Sequence, residues 1–553
     1  MSHWKPALTN PKLLANVIRK IDDDQPRLIF ADWLERRGAP ESADFIRVQC
    51  ALAKSRPSDD DYCDLVDRGR EVLARMCKKG TYDLGGSKYT KSYSLDGSWL
   101  PFNGLRRGFP FWIREPADKH LRDEKAAALR FREALPDLMT QTTARGLKFY
   151  GWFSRQLDTI LDTPVAGKLT ALEVFNAIND SPPVDTVEAI LSSPIADSLE
   201  SLDIMDLYGS QMSKLAKSKK LKRMSRLHLS SPEDDPTAVT RMISADWFQG
   251  MRDIEIGIGN RSTARSLRAL SRSKNLRTAR LPRTPITEES RGLRFENLSR
   301  LSLFKTSLTS TGMKLLTTWS LPNLRVFESG SCGIKSSAIK NLARANWARQ
   351  LRVLLLHSNR LDNKSISLLA ESGILREMRD LSLGSNVMTA AGLLPLANEK
   401  VMPELTTLSL NAPEEKYLIA TETEMVRFLS KISVPKLRHL DLSGWPLGDR
   451  GAQALASNPS FANLRSLSLE QCGIGQKATE AICESPYLAN LLKLSLTYNH
   501  IGAVLQPLRS RKVLPHLCRL EAKTLGEGTP EKVRNAFGKT LHLVWTRRPE
   551  IWF

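Results

Sequence analysis

The sequence predicts an α/β solenoid with a small all-α domain at its N-terminus. Two observations favour this fold class. An apolar pattern recurs at a fixed spacing along most of the chain, and 553 residues are too many for one compact hydrophobic core. A repeat array escapes that limit because each repeat contacts only its neighbours. We therefore expect stacked repeats, each with one strand and one helix.

The stretch 351–370, LRVLLLHSNRLDNKSISLLA, shows the pattern most clearly. It reads L-x-x-L-x-L-x-x-N-x-L and continues with helical spacing. The x-L-x-L core predicts a short strand whose alternate side chains point inward. The same frame recurs at steps of 27 residues in two runs, which begin at Leu324, Leu351, Met378 and Leu405, and at Leu437, Leu464 and Leu491.

Weaker frames precede these runs, and one follows them. Their spacing varies between 22 and 30 residues, but each keeps the apolar alternation of a short strand. We place them at Ala144, Leu169, Leu199, Met224, Met251, Leu276 and Leu298, with a last frame at Leu517.

The repeated pattern resembles the leucine-rich repeat, and two further columns resemble its ribonuclease-inhibitor-like class. A small residue stands 14 positions after the frame start, at Gly312, Ala338, Ser365, Gly392, Gly451 and Ala478. An apolar residue stands 18 positions after it, at Leu316, Leu342, Leu369, Leu396, Leu455 and Ile482. The resemblance implies a horseshoe with a parallel concave sheet, convex helices and an α-helix in every repeat.

The ninth position of the frame holds Asn or Cys in five repeats. In the class that the repeats resemble, this side chain hydrogen-bonds the backbone of the exposed loop. A structural role is therefore expected for Asn359, Asn386, Asn499, Cys332 and Cys472.

Residues 10–56 predict a small helical domain. The second helix has Asp24 as its candidate N-cap, Pro26 in its first turn and Gly38 at its end. Trp33 lies on this helix and is expected in the core of the domain.

The segment QPRLIFADWLERRGAPESADFIRVQCALA, residues 25–53, resembles the repeat-companion domain of bacterial proteins. Arg37 and Ala39 stand where that family usually has Glu and Asp. The family is named for lying beside repeat arrays and has no established activity, so the resemblance implies architecture and not chemistry. The charged residues around Trp33 are interpreted as a solvated helix face with an Asp to Arg pair.

These features divide the chain into four parts. We expect the helical domain at 1–80, a connecting and capping segment at 81–143, the solenoid at 144–524 and a closing cap at 525–553. Both caps are rich in aromatic residues, which suits elements that cover the open apolar ends of an array.

Composition excludes several classes of protein. The sequence has no apolar run of signal-peptide or membrane-span length, so a soluble cytoplasmic protein without a membrane partner is expected. Seven scattered cysteines contain no C-x-x-C pair, which disfavours a zinc site and a disulfide framework.

Enzymatic motifs are also missing from the sequence: it contains no G-x-x-x-x-G-K-[ST], G-x-S-x-G or H-E-x-x-H. His228, His357 and His439 can face the concave side, but repeats three apart are too distant to share a metal. We expect no catalytic residues, no metal and no cofactor.

The concave face is the predicted binding surface. Aromatic rings and arginines carry most of the free energy of protein interfaces, and the early and middle frames supply them. The candidate partner-binding residues are Arg280, Arg283, Arg300, Phe304, Lys305, Glu328 and His357. For each of them, an ordinary solvated strand position is the alternative. Later frames supply a smoother polar track of Ser382, Ser409, Asp441, Ser468 and Ser495.

Basic residues concentrate in one stretch. Residues 214–283 hold 17 basic and 6 acidic groups, which is +11 of the net charge of +21. The spacing of the arginines from Arg261 to Arg272 predicts one outward helix face. We expect a convex patch that either binds a polyanion or only keeps the protein soluble, formed by Lys214, Lys217, Lys219, Lys220, Lys222, Arg223, Arg261, Arg265, Arg268 and Arg272.

A second arginine column follows the first residue of seven frames. Arginines at such regular spacing could bind successive phosphates. However, the sequence pattern L-R-x-L-x-L is common in this repeat class, so a structural role is favoured. The column contains Arg252, Arg277, Arg325, Arg352, Arg379, Arg438 and Arg465.

The sequence thus favours a non-enzymatic scaffold or adaptor that binds another protein. The alternative is a nucleic-acid-associated sensor or regulatory subunit that holds a phosphate backbone through residues 214–283. Salt dependence separates the two hypotheses, because phosphate binding weakens steeply with salt.

Overall fold

The computed structural model describes a large part of the chain. The described residues are 10–55, 61, 64–66, 68–69, 71–72, 105–106, 109–110, 112–114, 124–141, 143, 145–150, 156–175, 185–205, 207, 209–229, 236–258, 263–413, 420–499, 514–517, 519–521 and 542–544. The chain divides into a first compact unit of Met1–Leu73, Tyr82–Ser302 and Trp319–Asn323, and a second of Ala74–Thr81, Leu303–Thr318 and Leu324–Phe553.

The first compact unit begins with three helices that share a core. The helices are Pro11–Arg19, Gln25–Arg36 and Pro40–Lys54. Their buried contact residues are Val17, Phe30, Ala31, Leu34, Ala39, Ala43, Ile46 and Cys50. Trp33 packs only partly against this core, so the expectation that it lies inside is corrected to a position at the edge.

The bounds of the second helix follow from local chemistry. Pro26 lies in the first turn, and Gly38 ends the helix with φ of 79°, a left-handed conformation that glycine adopts without strain. The predicted Asp24 cap is wrong: its side chain makes no capping bond and contacts Lys54 Nζ at 2.9 Å. Arg27 is only 2% exposed and donates to the carbonyl oxygens at the end of the preceding turn.

An Asp to Arg pair is present, but its arginine comes from the third helix, whereas Arg36 donates from Nε to the backbone carbonyl oxygen of Asp32 at 3.2 Å. Arg47 of the third helix contacts Asp32 Oδ1 and Glu35 Oε2, both at 2.6 Å. All three side chains are at least one-third exposed, so the pairs contribute little to the free energy of unfolding.

The rest of the first compact unit alternates strands with helices. A short antiparallel pair, Leu105–Arg106 and Phe109–Pro110, precedes the parallel sheet. The parallel strands are Trp112–Arg114, Gly146–Tyr150, Ala171–Phe175, Ser201–Ile204, Arg226–Leu229, Asp253–Ile256, Thr278–Arg280 and Arg300–Ser302. The helices between them are Glu124–Gln141, Leu157–Leu161, Thr186–Ser192, Gly209–Lys217, Pro236–Ile243 and Thr263–Ser271, with 3-10 helices Pro164–Lys168, Pro194–Asp197, Asp246–Gly250 and Glu288–Ser290.

The second compact unit has the same alternation. Its parallel strands are Val326–Glu328, Val353–Leu355, Asp380–Ser382, Thr407–Ser409, His439–Asp441, Ser466–Ser468, Lys493–Ser495, Arg519–Glu521 and His542–Val544. Its helices are Ser310–Leu316, Ser336–Leu342, Asn363–Glu371, Glu422–Lys431, Gly448–Ala456 and Gln476–Glu484, with 3-10 helices Ala348–Gln350, Ala391–Ala397 and Pro459–Phe461.

Each predicted frame places a strand. From Ala144 to Leu517, every strand begins two residues after the frame start. The parallel register then stacks equivalent apolar residues, so that Leu354, Leu381 and Leu408 form one buried column. Full burial of each leucine contributes roughly 2 kcal/mol to the free energy of unfolding.

The two helix columns are confirmed. The small residues 14 positions after the frame start are buried, and the apolar residues 18 positions after it are 0% exposed. At Gly392 the position leaves no room for a side chain, because a Cβ there would fall 2.0 Å from Asn363 Oδ1.

The expectation of an α-helix in every repeat is wrong for two repeats. The repeat from Leu276 spans only 22 residues, and its return segment holds just the 3-10 helix Glu288–Ser290. The repeat from Met378 holds the 3-10 helix Ala391–Ala397, in which Pro395 has no amide hydrogen for an α-helical bond.

Candidate functional site

The ninth position of the repeat fixes one edge of the sheet in the second compact unit. Asn359 Nδ2 donates to the carbonyl oxygens of Ser329 (2.8 Å) and Leu356 (2.9 Å). Its Oδ1 accepts from the backbone N–H groups of Cys332 (2.9 Å) and Ile334 (3.1 Å). One buried side-chain amide therefore joins its own repeat to the preceding repeat.

Side chains at the ninth position of other repeats make the same kind of bond, which confirms the expected structural role. We call this set of ninth-position residues the ladder. Asn386 and Asn499 make equivalent contacts in their own repeats. Cys332 and Cys472 donate from Sγ to a carbonyl oxygen of the preceding repeat, at 2.8 and 3.3 Å. Burial raises the pKa of both thiols to about 12, so neither is a reactive thiolate.

Trp445 takes the place of Asn or Cys in one repeat. It is the ninth residue of the repeat from Leu437, it is 0% exposed, and its indole N–H donates to the carbonyl oxygen of Leu410. The sequence pattern concealed this role, because a tryptophan shares only the N–H donor with asparagine.

Four residues of three neighbouring repeats lie together in the second compact unit. The rings of Phe304 and His357 have centroids 6.5 Å apart and are inclined by 37°. Lys305 Nζ lies 5.2 Å from the Phe304 centroid. A Cβ at Gly330 would fall 2.5 Å from His357 Cε1, so glycine leaves room for the imidazole. We call Phe304, Lys305, Gly330 and His357 the ring cluster.

The charge state of His357 follows from its surroundings. Burial lowers the pKa of this imidazole below its ordinary value, and the negative charge of Glu328 opposes the shift only in part. His357 is therefore neutral at neutral pH and offers one donor and one acceptor. Phe304, Glu328, Leu355 and His357 are all half-buried, while Lys305 is exposed.

The strands that follow carry the predicted polar track. Ser443 Oγ contacts Asp441 Oδ1 at 2.5 Å and Ser468 Oγ at 2.9 Å, and Ser495 donates to Glu470 at 2.7 Å. These side chains satisfy one another, so they present a polar surface that begins three repeats beyond His357.

The first compact unit carries a charged network on the exposed face of its strands. His228 lies 3.5 Å from Asp203 Oδ2 and 3.4 Å from Asp253 Oδ1. Arg280 donates to Asp253 at 2.9 Å and lies 4.0 Å from Glu255. The predicted anchor Arg280 is thus already paired within the chain.

The network shifts the protonation of its members in opposite directions. Burial disfavours the imidazolium, but the bonds to Asp203 and Asp253 outweigh burial and raise the pKa of His228. Burial also favours neutral Asp253, yet His228 and Arg280 lower the pKa of Asp253 to about 2. The shifts favour a protonated imidazole beside an ionised Asp253, so the two charges compensate one another.

The other predicted anchors of the first compact unit differ in exposure. Arg283 is exposed and has φ of 54°, a left-handed backbone conformation. The residue at the equivalent position of several other repeats has the same conformation. Arg300 is half-buried. Glu328 and the ring cluster belong to the second compact unit.

The predicted basic patch is only partly available. Lys214 contacts Asp185 at 2.5 Å and Glu188 at 3.0 Å, and Arg223 contacts Glu200 at 2.9 Å. Two further members donate to backbone carbonyl oxygens of other repeats, Lys220 at 2.8 Å and Arg268 at 3.0 Å. The exposed remainder is Lys217, Lys219, Lys222, Arg265 and Arg272, while Arg261 lies outside the described residues.

The arginine column is built into the sheet edge. The backbone N–H of Arg379 donates to the carbonyl oxygen of Arg352 at 2.7 Å. Their side chains face acidic partners, with Arg352 and Glu377, and Arg379 and Glu404, both 3.7 Å apart. These contacts support the structural interpretation of the column.

A second ladder escaped the sequence reasoning. The residue before the frame start is Asn in five repeats, and its Nδ2 donates to a backbone carbonyl oxygen of the preceding repeat at 2.6–3.0 Å. The recurring N-L dipeptide was the available signal, at Asn275, Asn297, Asn323, Asn463 and Asn490.

Two features are absent from the described residues. Within them, no three His, Cys, Asp or Glu side chains are grouped so as to hold a metal ion. In that same part of the chain, no helix has the length and apolarity needed to cross a bilayer.

Comparisons with known proteins concern the repeats. The leucine-rich repeat family model matches residues 435–456, which include the frame start Leu437. The fold is an α/β leucine-rich-repeat solenoid. Similar solved structures include an internalin of Listeria monocytogenes, at 16% identity over 71% of this chain and 93% of that chain, with a TM-score of 0.33.

Two further structures are similar at the same low level. The Rad7 and Elc1 complex of yeast matches at 18% identity over 76% of this chain and 88% of that chain, with a TM-score of 0.39. A Bacteroides fragilis protein matches at 12% identity over 58% of this chain and 82% of that chain, with a TM-score of 0.30. The comparison with curated proteins finds no match.

Proposed function

We propose that the protein is a non-enzymatic scaffold that binds another protein through the strand face of its repeats, with the ring cluster as the central contact. The observation that carries this proposal is the pairing of two half-buried rings, Phe304 and His357, over Gly330. Partly buried aromatic rings lose little conformational entropy on binding and concentrate interface free energy.

The surroundings of the rings suit a protein partner. A neutral His357 forms hydrogen bonds without the desolvation cost of a charge. Leu355, which is half-buried and pairs in register with Glu328, adds apolar area. Lys305 and Glu328 supply one charge of each sign at the margin, as in the polar rim of an interface. The adjoining serine track allows a partner to lie flat.

The first compact unit contributes a second proposed contact region. Arg283 and Arg300 stay in it as candidates, and Arg280 acts there by holding Asp253 and Glu255 in place. We propose the ranges 1–80, 81–143, 144–524 and 525–553 as functional divisions, with 1–80 as a bacterial repeat-companion domain and the cytoplasm as the compartment.

Site-specific photocrosslinking tests the proposal. Replacing Phe304 by the photoreactive analogue p-benzoylphenylalanine and irradiating an extract of the native organism should give one dominant protein adduct. The matched control carries the same analogue at Lys340, an exposed position on the helix Ser336–Leu342. We expect the adduct at position 304 and not at position 340.

Two variants make the test specific. His357→Ala removes one ring, and Gly330→Ala displaces the imidazole while leaving it present. Both should lower adduct yield at position 304 at least fivefold without changing the circular dichroism spectrum. Equal adducts at positions 304 and 340, or no effect of either variant, would refute the ring cluster as the contact.

A further inference from the structure

Six exposed cations of the first compact unit lie at the end of the helix Gly209–Lys217 or in the segments that lead into three neighbouring strands. These strands are Arg226–Leu229, Asp253–Ile256 and Thr278–Arg280. We call the six residues the strand-entry rim: Lys217, Lys219, Lys222, Arg252, Arg272 and Lys274.

Backbone bonds hold the three entry segments side by side. Arg252 N–H donates to the carbonyl oxygen of Ser225 at 2.7 Å, and Arg277 N–H donates to that of Arg252 at 2.8 Å. Asn275 Nδ2 also donates to the carbonyl oxygen of Gln249 at 2.9 Å. Neighbouring segments are therefore separated by about 4.8 Å, the spacing of paired strands.

Acidic side chains of the described residues leave the rim without an ion pair. None of its six residues has an ion-pair partner in the described part of the chain, whereas Lys214 and Arg223 nearby are paired with Asp185, Glu188 and Glu200. Of the acidic residues in 214–283 that the structure describes, Asp253 and Glu255 belong to the network around His228 and Arg280. Asp246 alone is left among those described acids.

The chemistry of the rim favours one class of ligand. A protein interface has an apolar centre, but the large rings nearest the rim in sequence, Trp247 and Phe248, are buried. An interface made only of lysine and arginine neutralises phosphates and releases counterions, without reading base edges. A row of such residues along paired segments matches the row of negative charges on a linear polyanion.

We propose that the strand-entry rim binds the phosphate backbone of a nucleic acid independently of base sequence. This activity goes beyond the proposed protein contact, because the rim and the ring cluster share no residue. It also differs from the convex patch predicted from the sequence, since Lys214, Lys220, Arg223 and Arg268 are already engaged and Arg252 and Lys274 take part.

Fluorescence anisotropy of the full chain with a labelled mixed-sequence 20-nucleotide DNA, single-stranded and duplex, tests the proposal. We expect binding at 50 mM salt that weakens at least a hundredfold by 200 mM, since a rim of this size neutralises several phosphates. The rim variant Lys219→Glu, Lys222→Glu, Arg272→Glu, Lys274→Glu should weaken binding at least tenfold and reduce the salt slope.

A matched control separates the rim from net charge. The variant Lys314→Glu, Lys335→Glu, Lys340→Glu, Arg344→Glu changes the same number of exposed cations in the second compact unit, and it should lose less than threefold. Equal losses in both variants, no binding at 50 mM salt, or tighter binding of polyglutamate than of DNA would each overturn the proposal. Unchanged thermal melting shows that both variants fold.

Discussion

At the residue scale, a single buried side chain at the ninth position carries the connection between repeats. Asn359 satisfies backbone donors and acceptors of its own repeat and of the preceding repeat, and these groups have no access to water once the repeats stack. A buried polar group without a partner costs about 1–3 kcal/mol, so loss of this amide leaves several such costs uncompensated.

Replacement of Asn359 by Ala is therefore expected to lower the free energy of unfolding by about 2–4 kcal/mol. Urea unfolding followed by circular dichroism measures the change. Asn490→Ala is the matched control, because Asn490 is exposed and its one side-chain bond, to the carbonyl oxygen of Ala462, contributes at most about 1 kcal/mol. Equal losses of stability from the two substitutions would contradict the role of the ninth-position asparagines in joining repeats.

At the element scale, the sequence predicted the strands better than the segments between them. A period-two apolar pattern and a fixed frame determine where a strand begins, so even the irregular frames from Ala144 to Leu298 placed strands at the right residues. The prediction of an α-helix was wrong in the repeats from Leu276 and Met378. The first repeat is too short for one, and Pro395 interrupts α-helical hydrogen bonding in the second.

The candidate site was less predictable for a physical reason. Strand alternation places Phe304, Glu328 and His357 on one face, but it does not give ring contacts or ion pairs. Those depend on long side chains that reach between repeats, as Lys214 does to Asp185. The use of Trp445 in place of asparagine depends likewise on packing.

The first three helices give a prediction at the same scale. Phe30 is 3% exposed, whereas Trp33 lies at the core edge, with rings 5.7 Å apart and Arg37 5.9 Å above the indole. Phe30→Ala should cost about 3–5 kcal/mol, and Trp33→Ala only about 1–2 kcal/mol. Hydrogen exchange of the helix Gln25–Arg36 in the full chain measures both. A larger cost for Trp33→Ala would place the indole inside the core.

At the scale of the whole molecule, equivalent positions are interchangeable because the register repeats. Val326–Glu328 pairs with Val353–Leu355, which pairs with Asp380–Ser382 in the same register. Removing one full repeat therefore brings together faces that already match, and Asn386 would take the place of Asn359 against Cys332.

Deletion of residues 351–377 tests this central claim most directly. Hydrogen exchange of the shortened chain should show Val326–Glu328 and Asp380–Ser382 as protected as in the full chain, with photocrosslinking from position 304 lost because His357 is gone. Deletion of only residues 351–363 should expose both strands, since it breaks the frame. The account would be contradicted if the two strands lost protection in the full-repeat deletion, or if they kept it in the half-repeat deletion.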